Sequence, residues 1–470
     1  MSAQEPETDN QPQAPPRTPV GDLAGRKVTV VGLGRFGGGL GVTRWLCKQG
    51  ARVTVSDQAD AESLSESVLA LADLDVQLHL GRHQEEDFLT ADLLVVSPAV
   101  PKSQPLIRLA DERGIERTSE MNLFLQRCRG RLVGITGSVG KSTTTAMVGE
   151  ILARRFPTHV GGNIGKSLLD ELDRIASDHV VVLELSSFQL EDVEAIRVSP
   201  QIALITNLHA HHLDRHGTVE DYARAKRNIF RFQDAGGVLI LNQHERQVAA
   251  GEVQADRAEQ ECAGIVMGFQ AEAPGRTEWF DPDSEETFEL TVPGRHNQAN
   301  AQAAWAIARE MGVDRETVAQ TLREFRGLAH RIEYVTTRDG AKYFNDSKCT
   351  TPDGAIVALE AFPPRSVVII VGGFDRGASF DRLGQELAVR AKAVVATGQT
   401  CEKVAAAVEA WRTGQTPAVI RAERFEEAVA QAARLAECGD VVLLSPACAS
   451  YDRFKNYEQR GGKFLELVTG

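Results

Sequence analysis

The run from Arg131 to Thr145, Arg-Leu-Val-Gly-Ile-Thr-Gly-Ser-Val-Gly-Lys-Ser-Thr-Thr-Thr, changes character twice. An apolar stretch breaks into a glycine turn, and the turn opens a helix that begins with Lys141 and a row of hydroxyls. Strand, turn and helix in that order are the build of a phosphate cradle. Glycines let backbone N–H groups close around phosphate oxygens, Lys141 supplies a point charge, the helix N-terminus adds its positive dipole end, and Ser142 or Thr143 can reach Mg²⁺. The chain is expected to handle a nucleoside triphosphate. The widest phosphate-loop pattern, Gly-x-x-x-x-Gly-Lys-Ser, would need glycine at 135, where Ile135 stands with Gly134 one place early, so a generic ATPase label is too loose.

With 470 residues and 42% hydrophobic content the chain can bury large cores, and at roughly 150 residues per domain its length suits about three. Lys and Arg number 52 against 65 Asp and Glu, giving a net charge of −13 that argues against a nucleic-acid partner. Phosphate sites here must be local. Seven cysteines are scattered without a Cys-x-x-Cys pair, which suits free thiols in a reducing compartment. Residues 1–22 are rich in Pro, Gln and acids and lack the apolar core of a signal peptide, and no later uncharged apolar stretch reaches about 18 residues. A disordered tail on a cytoplasmic protein without a membrane partner is expected.

Strand and helix patterns alternate along the rest, which predicts an α/β fold with mostly parallel sheets. Lys27 to Gly37 and Arg52 to Asp57 form a Rossmann-like opening, and Ala91 to Pro98 adds a buried strand, so a first unit runs over 23–119. A second unit, 120–327, carries the phosphate loop and the strand runs Val180–Glu184, Ile202–Thr206 and Val238–Asn242. A third, 328–470, repeats the alternation with Ser366–Val371, Ala393–Ala396 and Asp440–Leu444, and reads as another Rossmann-type unit. The polar stretch from 251 to 290 is the least legible part.

Several positions suggest chemistry. Gly32-Leu-Gly-Arg-Phe-Gly37, with Asp57 closing the next strand, is a dinucleotide-type loop whose acid is placed for a ribose or base edge. Glu184 ends a buried strand, where a Mg²⁺ ligand belongs, and Leu-Ser-Ser-Phe-Gln189 follows it. His209-Ala-His-His-Leu-Asp-Arg-His216 misses a metallohydrolase spacing by one residue, which favours a single functional histidine with the others facing solvent and leaves a two-histidine metal site open. Lys226, in Tyr222-Ala-Arg-Ala-Lys226, reads by default as an exposed helix lysine. Asn345-Asp-Ser-Lys-Cys-Thr-Thr351 and Ser445-Pro-Ala-Cys-Ala-Ser-Tyr-Asp-Arg-Phe454, with Tyr457 behind, each follow a strand-like run with hydroxyls and a cation, which suits a carboxylate pocket or an ordinary solvated loop.

Taken together these pieces resemble the Mur ligases of peptidoglycan synthesis over nearly all of residues 26 to 470. The markers are Gly-Leu-Gly34, Thr-Gly-Ser-Val-Gly-Lys-Ser142, Gly161-Gly-Asn-Ile-Gly165, Leu183 to Glu191, Thr206-Asn207 with His212-Leu-Asp-Arg215, Gly294-Arg-His-Asn297, His330-Arg331, Asn345-Asp-Ser-Lys348 and Ser445-Pro-Ala-Cys-Ala-Ser450. The resemblance implies three domains: an N-terminal Rossmann-like one for a UDP-sugar, a central P-loop ATPase, and a C-terminal Rossmann-like one for the incoming amino acid. It implies an ATP-dependent ligase that adds D-glutamate to UDP-N-acetylmuramoyl-L-alanine through an acyl phosphate, with ATP and two Mg²⁺ ions, acting as a monomer. Carried over, Gly34 and Asp57 hold the uridine diphosphate part, while Asn163, Ser186 and Gln189 line the muramoyl-alanine end. Gly137, Ser138, Gly140, Lys141, Ser142 and Thr143 cradle ATP, with Asn300 and Arg331 touching it and Asp346 near its ribose. Ser142, Glu184 and His212 face the metals, and Lys226 matches a lysine that the family carbamylates to hold the second ion. Lys348, Thr350, Arg376, Ser450 and Tyr457 surround the glutamate.

The sequence departs from the family pattern at Val139 for the loop asparagine, His211 for an aspartate, Arg376 for a lysine and Tyr457 for phenylalanine. Arg376 is a planar two-pronged donor, so a carboxylate can still be held in a reshaped pocket, and D- against L-glutamate stays open at this point. Other Mur ligases and folylpolyglutamate synthetase share the ATPase core, but the Asn-Asp-Ser-Lys348 and Ser-Pro-Ala-Cys-Ala-Ser450 runs point to the glutamate-adding branch. A nicotinamide-dependent oxidoreductase would leave Lys141 and Glu184 without a role.

Overall fold

The computed structural model describes residues 21–34, 37–165 and 167–470. The tail expected over 1–22 and the centre of the Gly32–Gly37 loop therefore lie largely outside the described residues. These pack as two compact units, one reaching to Lys141 and resuming over Phe156–Trp279, the other made of Ser142–Arg155 and Phe280–Gly470.

The first unit holds two sheets. In the first sheet the spatial order is Val76–Leu80, Arg52–Asp57, Lys27–Val31, Leu93–Val96 and Glu116–Thr118, all parallel. Lys27–Val31 is central because Val28, Val30 and Val31 are buried on both faces, as a parallel strand covered by helices requires. The chain goes out on one side and returns on the other, leaving a crevice at the carboxyl ends of Lys27–Val31 and Leu93–Val96. Helix Gly38–Lys48 covers one face with Trp45 and Leu46, and Arg127 stacks over the Trp45 ring at 5.2 Å.

The second sheet runs Arg276–Phe280, Val238–Asn242, Ile202–Ile205, Arg131–Thr136, Val180–Glu184 and Thr158–Gly162. Arg131–Thr136 sits between Ile202–Ile205 and Val180–Glu184, parallel to both, so the phosphate loop leaves the middle of the sheet flanked by the ends of those two strands. One apolar cluster runs unbroken from Val30 and Trp45 through Phe124 and Leu168 to Leu183 and Leu241, so the two sheets of this unit share a core.

The second unit carries the third sheet, ordered Glu333–Arg338, Ala341–Asn345, Val441–Leu444, Val367–Val371, Ala391–Thr397 and Ala418–Ala422. It is parallel except at the edge, where Glu333–Arg338 runs antiparallel to Ala341–Asn345. Separate apolar clusters cover its two faces, one built on Ile369 and Leu443, the other on Ile370 and Leu444, as the alternation of a pleated strand dictates. In the same unit Thr144, on the helix Lys141–Ala153, donates its hydroxyl to Asn300 Oδ1 at 3.3 Å.

Candidate active site

Strand Arg131–Thr136 ends at Gly137, whose φ of 146° suits glycine and whose missing Cβ leaves room for the Thr206 hydroxyl. Gly140, at φ 84°, then turns the chain into the helix Lys141–Ala153. Lys141 Nζ donates to the Ser138 carbonyl at 2.9 Å, which folds the ammonium back over the loop. The Ser138 hydroxyl is engaged inside the protein: it accepts from the His209 amide at 2.9 Å and donates to the His209 carbonyl at 3.1 Å. Tyr222 Oη lies 3.2 Å from it.

Glu184 stands at the end of its strand and is 1% exposed. Its Oε1 accepts from Asn163 Nδ2 at 2.8 Å, while Oε2 is buried without a partner. Lys226 overturns the expectation of an exposed lysine, being 1% exposed. Helix Val219–Arg227 turns Tyr222, Ala223, Ala225 and Lys226 inward, and Lys226 Nζ donates to the Gly137 carbonyl at 2.8 Å and to Thr136 Oγ1 at 3.2 Å. Its Nζ lies over the Tyr222 ring, 4.5 Å from the centroid. Burial pushes the Lys226 amine far below the ordinary lysine value, and the Lys141 charge pushes it further; Glu184 opposes both without restoring it. A buried amine that holds its proton less tightly than an ordinary lysine therefore lies directly beneath the phosphate loop.

His212 adopts a left-handed φ of 55° and caps the short helix Leu213–His216. Its exposed ring meets His211 edge-on at 4.1 Å, and partial desolvation together with the nearby His211 lowers its pKa. The expectation that the other histidines face solvent fails for His216. That side chain is 2% exposed, stacked on Phe188 at 5.1 Å and bonded to Ser187 Oγ at 2.9 Å, because Phe188 and Tyr222 form an aromatic shelf that encloses it. Among the described residues no group of three or more His, Cys, Asp or Glu converges as a metal site. The orphaned Glu184 Oε2 is nevertheless what a hard cation would satisfy, so the residues fit Mg²⁺.

Side chains expected at the UDP-substrate also organise the protein itself. Asp57 Oδ2 accepts from the amides of Leu33 at 2.8 Å and Gly34 at 3.2 Å, and Oδ1 from the Ala59 amide at 2.8 Å, so its carboxylate shapes the glycine loop. Ser186 and Gln189 form a capping box at the start of helix Ser187–Val193, with Gln189 Oε1 accepting from the Ser186 amide and hydroxyl.

Glu245 lies 5% exposed behind the histidine loop and accepts from the Leu208 amide at 3.1 Å. Burial raises its carboxyl to about 7 from an ordinary 4.5. The folded state thus holds a proton that the unfolded state releases, so this group's contribution to stability is full below pH 4.5 and is lost as pH rises towards 7. Glu245→Gln keeps the acceptor without the titration. Chemical denaturation from pH 4 to 8 should show a loss on the order of 3 kcal/mol in the parent that the variant lacks.

In the second unit the loops after Ala341–Asn345, Val367–Val371 and Val441–Leu444 meet at the carboxyl edge of the third sheet. Asp346 Oδ2 accepts from Ser445 Oγ at 2.7 Å and Oδ1 from the Ile332 amide at 3.2 Å, and burial raises its carboxyl to about 6. Lys348 Nζ stands 5.8 Å from the Tyr457 ring, and the Arg376 guanidinium lies 5.6 Å from that of Tyr451. Ser450 is buried, Thr350 half-buried, and Arg331 lies near enough to His296 to depress its pKa alongside burial. Arg460 has no motif in the sequence to mark it. It is buried and donates to Ser347 Oγ and to the carbonyls of Ser347, Cys448 and Ala449, tying two of these loops together.

Family models match three consecutive parts of the chain: the Mur ligase MurD-like N-terminal domain over residues 26–119, the Mur ligase middle domain over 135–308 and the Mur ligase glutamate ligase domain over 330–448. The chain is 40% identical to the UDP-N-acetylmuramoylalanine--D-glutamate ligase of Symbiobacterium thermophilum, covering 94% of this chain and 97% of that protein. It is 39% identical to the protein of the same name from Pelotomaculum thermopropionicum, covering 95% and 98%. Among solved structures, the UDP-N-acetylmuramate-alanine ligase of Thermotoga maritima superposes with a TM-score of 0.55 at 20% identity over 94% of this chain and 99% of that one. MurF from Acinetobacter baumannii does so with 0.56 at 19% identity, over 89% and 91%.

Proposed function

This chain belongs to the Mur ligase family, and from that premise we propose that it joins D-glutamate to UDP-N-acetylmuramoyl-L-alanine, converting ATP to ADP and phosphate during peptidoglycan precursor synthesis. The structural observation that carries the reading is the buried pair beneath the phosphate loop, Glu184 with a bare Oε2 and Lys226 bonded to the Gly137 carbonyl.

A carboxylate resists attack by an amine until an oxygen becomes a leaving group. In the first step a substrate carboxylate oxygen attacks the γ-phosphorus, the bond to the β-phosphate oxygen breaks, and ADP leaves an acyl phosphate. The glutamate amine then attacks the acyl carbon, the tetrahedral species expels phosphate, and the nitrogen loses a proton. Lys141 and the amides at the start of the helix Lys141–Ala153 hold the phosphates and offset their charge. Mg²⁺, which Ser142, Glu184 and His212 would hold together with a carbamylated Lys226, supplies further neutralisation when bound. Asn300, Arg331 and Asp346 serve the nucleotide. Gly34 and the loop that Asp57 shapes serve the uridine diphosphate, and Asn163, Ser186 and Gln189 the muramoyl-alanine end. Lys348, Thr350, Arg376, Ser450 and Tyr457 take the glutamate. The three domains of the reading are 23–119, 120–327 and 328–470. No helix among the described residues is long and apolar enough to cross a membrane, and we place the enzyme in the cytoplasm as a monomer.

The acyl phosphate makes a prediction about atoms. With ¹⁸O in the alanyl carboxylate, phosphate released in the presence of D-glutamate should carry one ¹⁸O, and unlabelled phosphate would contradict the route. Arg376→Ala should raise the KM for glutamate by about 10- to 100-fold, with the KM values for ATP and UDP-substrate unchanged, as expected for loss of a charge-assisted contact. Initial-rate kinetics in each substrate decide that.

A further inference from the structure

Asn207 follows the buried strand Ile202–Ile205 on the way to His212, and its side chain is bonded to the phosphate loop at three points. Oδ1 accepts from the Val139 amide at 2.9 Å and the Ser138 amide at 3.2 Å, and Nδ2 donates to the Val139 carbonyl at 3.1 Å. The Asn207 carbonyl accepts from the Ser138 amide as well, at 3.1 Å. Thr206 Oγ1 adds a bond to the Val139 carbonyl at 2.7 Å, and the Ser138 hydroxyl holds both backbone groups of His209.

A carboxamide offers an acceptor and a donor from one plane, so it can satisfy the Val139 N–H and C=O together. Alanine would leave the Val139 N–H unmet and its C=O with the Thr206 hydroxyl alone, and aspartate would set a second oxygen against the Val139 carbonyl oxygen. The Val139 side chain is 56% exposed and apolar, so it contributes no polar contact of its own to shaping this turn. With the amides of Ser138 and Val139 satisfied by protein, the amides at the start of the following helix are the ones left to meet phosphate.

We infer that Asn207 is a positioning residue that fixes the phosphate loop to the loop bearing His212, so that the nucleotide's phosphates and the histidine are set by one rigid piece. The inference rests on the nucleotide reading above. It is tested by titrating a fluorescent ADP analogue into the full chain in EDTA, where metal cannot contribute, and by separately measuring UDP-substrate affinity. Asn207→Ala should weaken the nucleotide by about 10-fold and Asn207→Asp by more, since its second oxygen stands against the Val139 carbonyl, with UDP-substrate affinity held within about two-fold. The KM for ATP should rise in step. A merely structural role predicts a lower Tm with unchanged nucleotide affinity, and that result in a folded Asn207→Ala protein overturns the inference. Should Asn207→Ala fail to fold, Thr206→Val removes the neighbouring bond to Val139 and must weaken ADP by about three-fold or more, with unchanged affinity again overturning it. Failure of the parent protein to bind nucleotide would instead overturn the nucleotide reading, and the inference with it.

Discussion

Lys141→Ala should lower ATP-dependent phosphate release by at least about 10²- to 10³-fold, the range seen when one preorganised charge or donor is removed from a transition state. Lys141 Nζ is held over the loop by the Ser138 carbonyl, so its charge is already in place before nucleotide arrives. The bond is local, and Asp57, Gly34 and Asn163 lie on other strands and loops, so the variant should bind the UDP-substrate about as well as the parent. The measurement is coupled phosphate release beside calorimetric titration of UDP-N-acetylmuramoyl-L-alanine. Retained turnover contradicts the role of Lys141, and loss of both readouts signals a misfolded protein.

Lys226→Ala should abolish turnover to a similar extent, and the parent should depend on carbon dioxide. A lysine amine attacks CO₂ only when neutral, forming the N–C bond and releasing a proton. Burial first and the Lys141 charge second lower the pKa of this amine, which is bonded to Gly137 and Thr136, well below the ordinary lysine value of 10.5, so its neutral form is reached at a lower pH than in an ordinary lysine. The sign follows from the shift. The neutral fraction rises with pH, so carbamate occupancy and activity should fall together as pH drops through the lowered Lys226 value. Because the unfolded lysine binds a proton that the folded one refuses, stability should also rise with pH between the lowered value and 10.5. Protein freed of CO₂ should lose activity and regain it on adding bicarbonate, and ¹³C-bicarbonate should give a carbamate carbon signal that Lys226→Ala lacks.

The strands were readable wherever an apolar run was bounded by polar residues. Arg52–Asp57 and Val180–Glu184 have the bounds that their patterns predict, and the glycine turn between Thr136 and Lys141 followed from residue types alone. Residues whose setting comes from distant packing were not readable. Lys226 sits on a helix rich in Arg, Asp and Glu, and its burial comes from contacts with Thr136 and Gly137, about 90 positions earlier. The burial of His216 is hidden from the sequence for the same reason, since Phe188, which encloses it, belongs to another helix. Arg460 carries no local pattern, and Asn207, though part of the Thr206-Asn207 marker, gives no sign in the sequence that its side chain bonds a loop 68 positions earlier. The Ser-x-x-Gln capping box at Ser186 is the converse: its signal is entirely local, and it gives those side chains a structural role beside the substrate contact that the resemblance implies.

The most direct measurement is phosphate release by the purified protein with Mg-ATP and UDP-N-acetylmuramoyl-L-alanine, comparing D-glutamate, L-glutamate and no amino acid. Sustained release with D-glutamate, and neither of the other two, is the predicted result. Release with L-glutamate in its place would contradict the stereochemical assignment, and silence in all three would contradict the ligase reading.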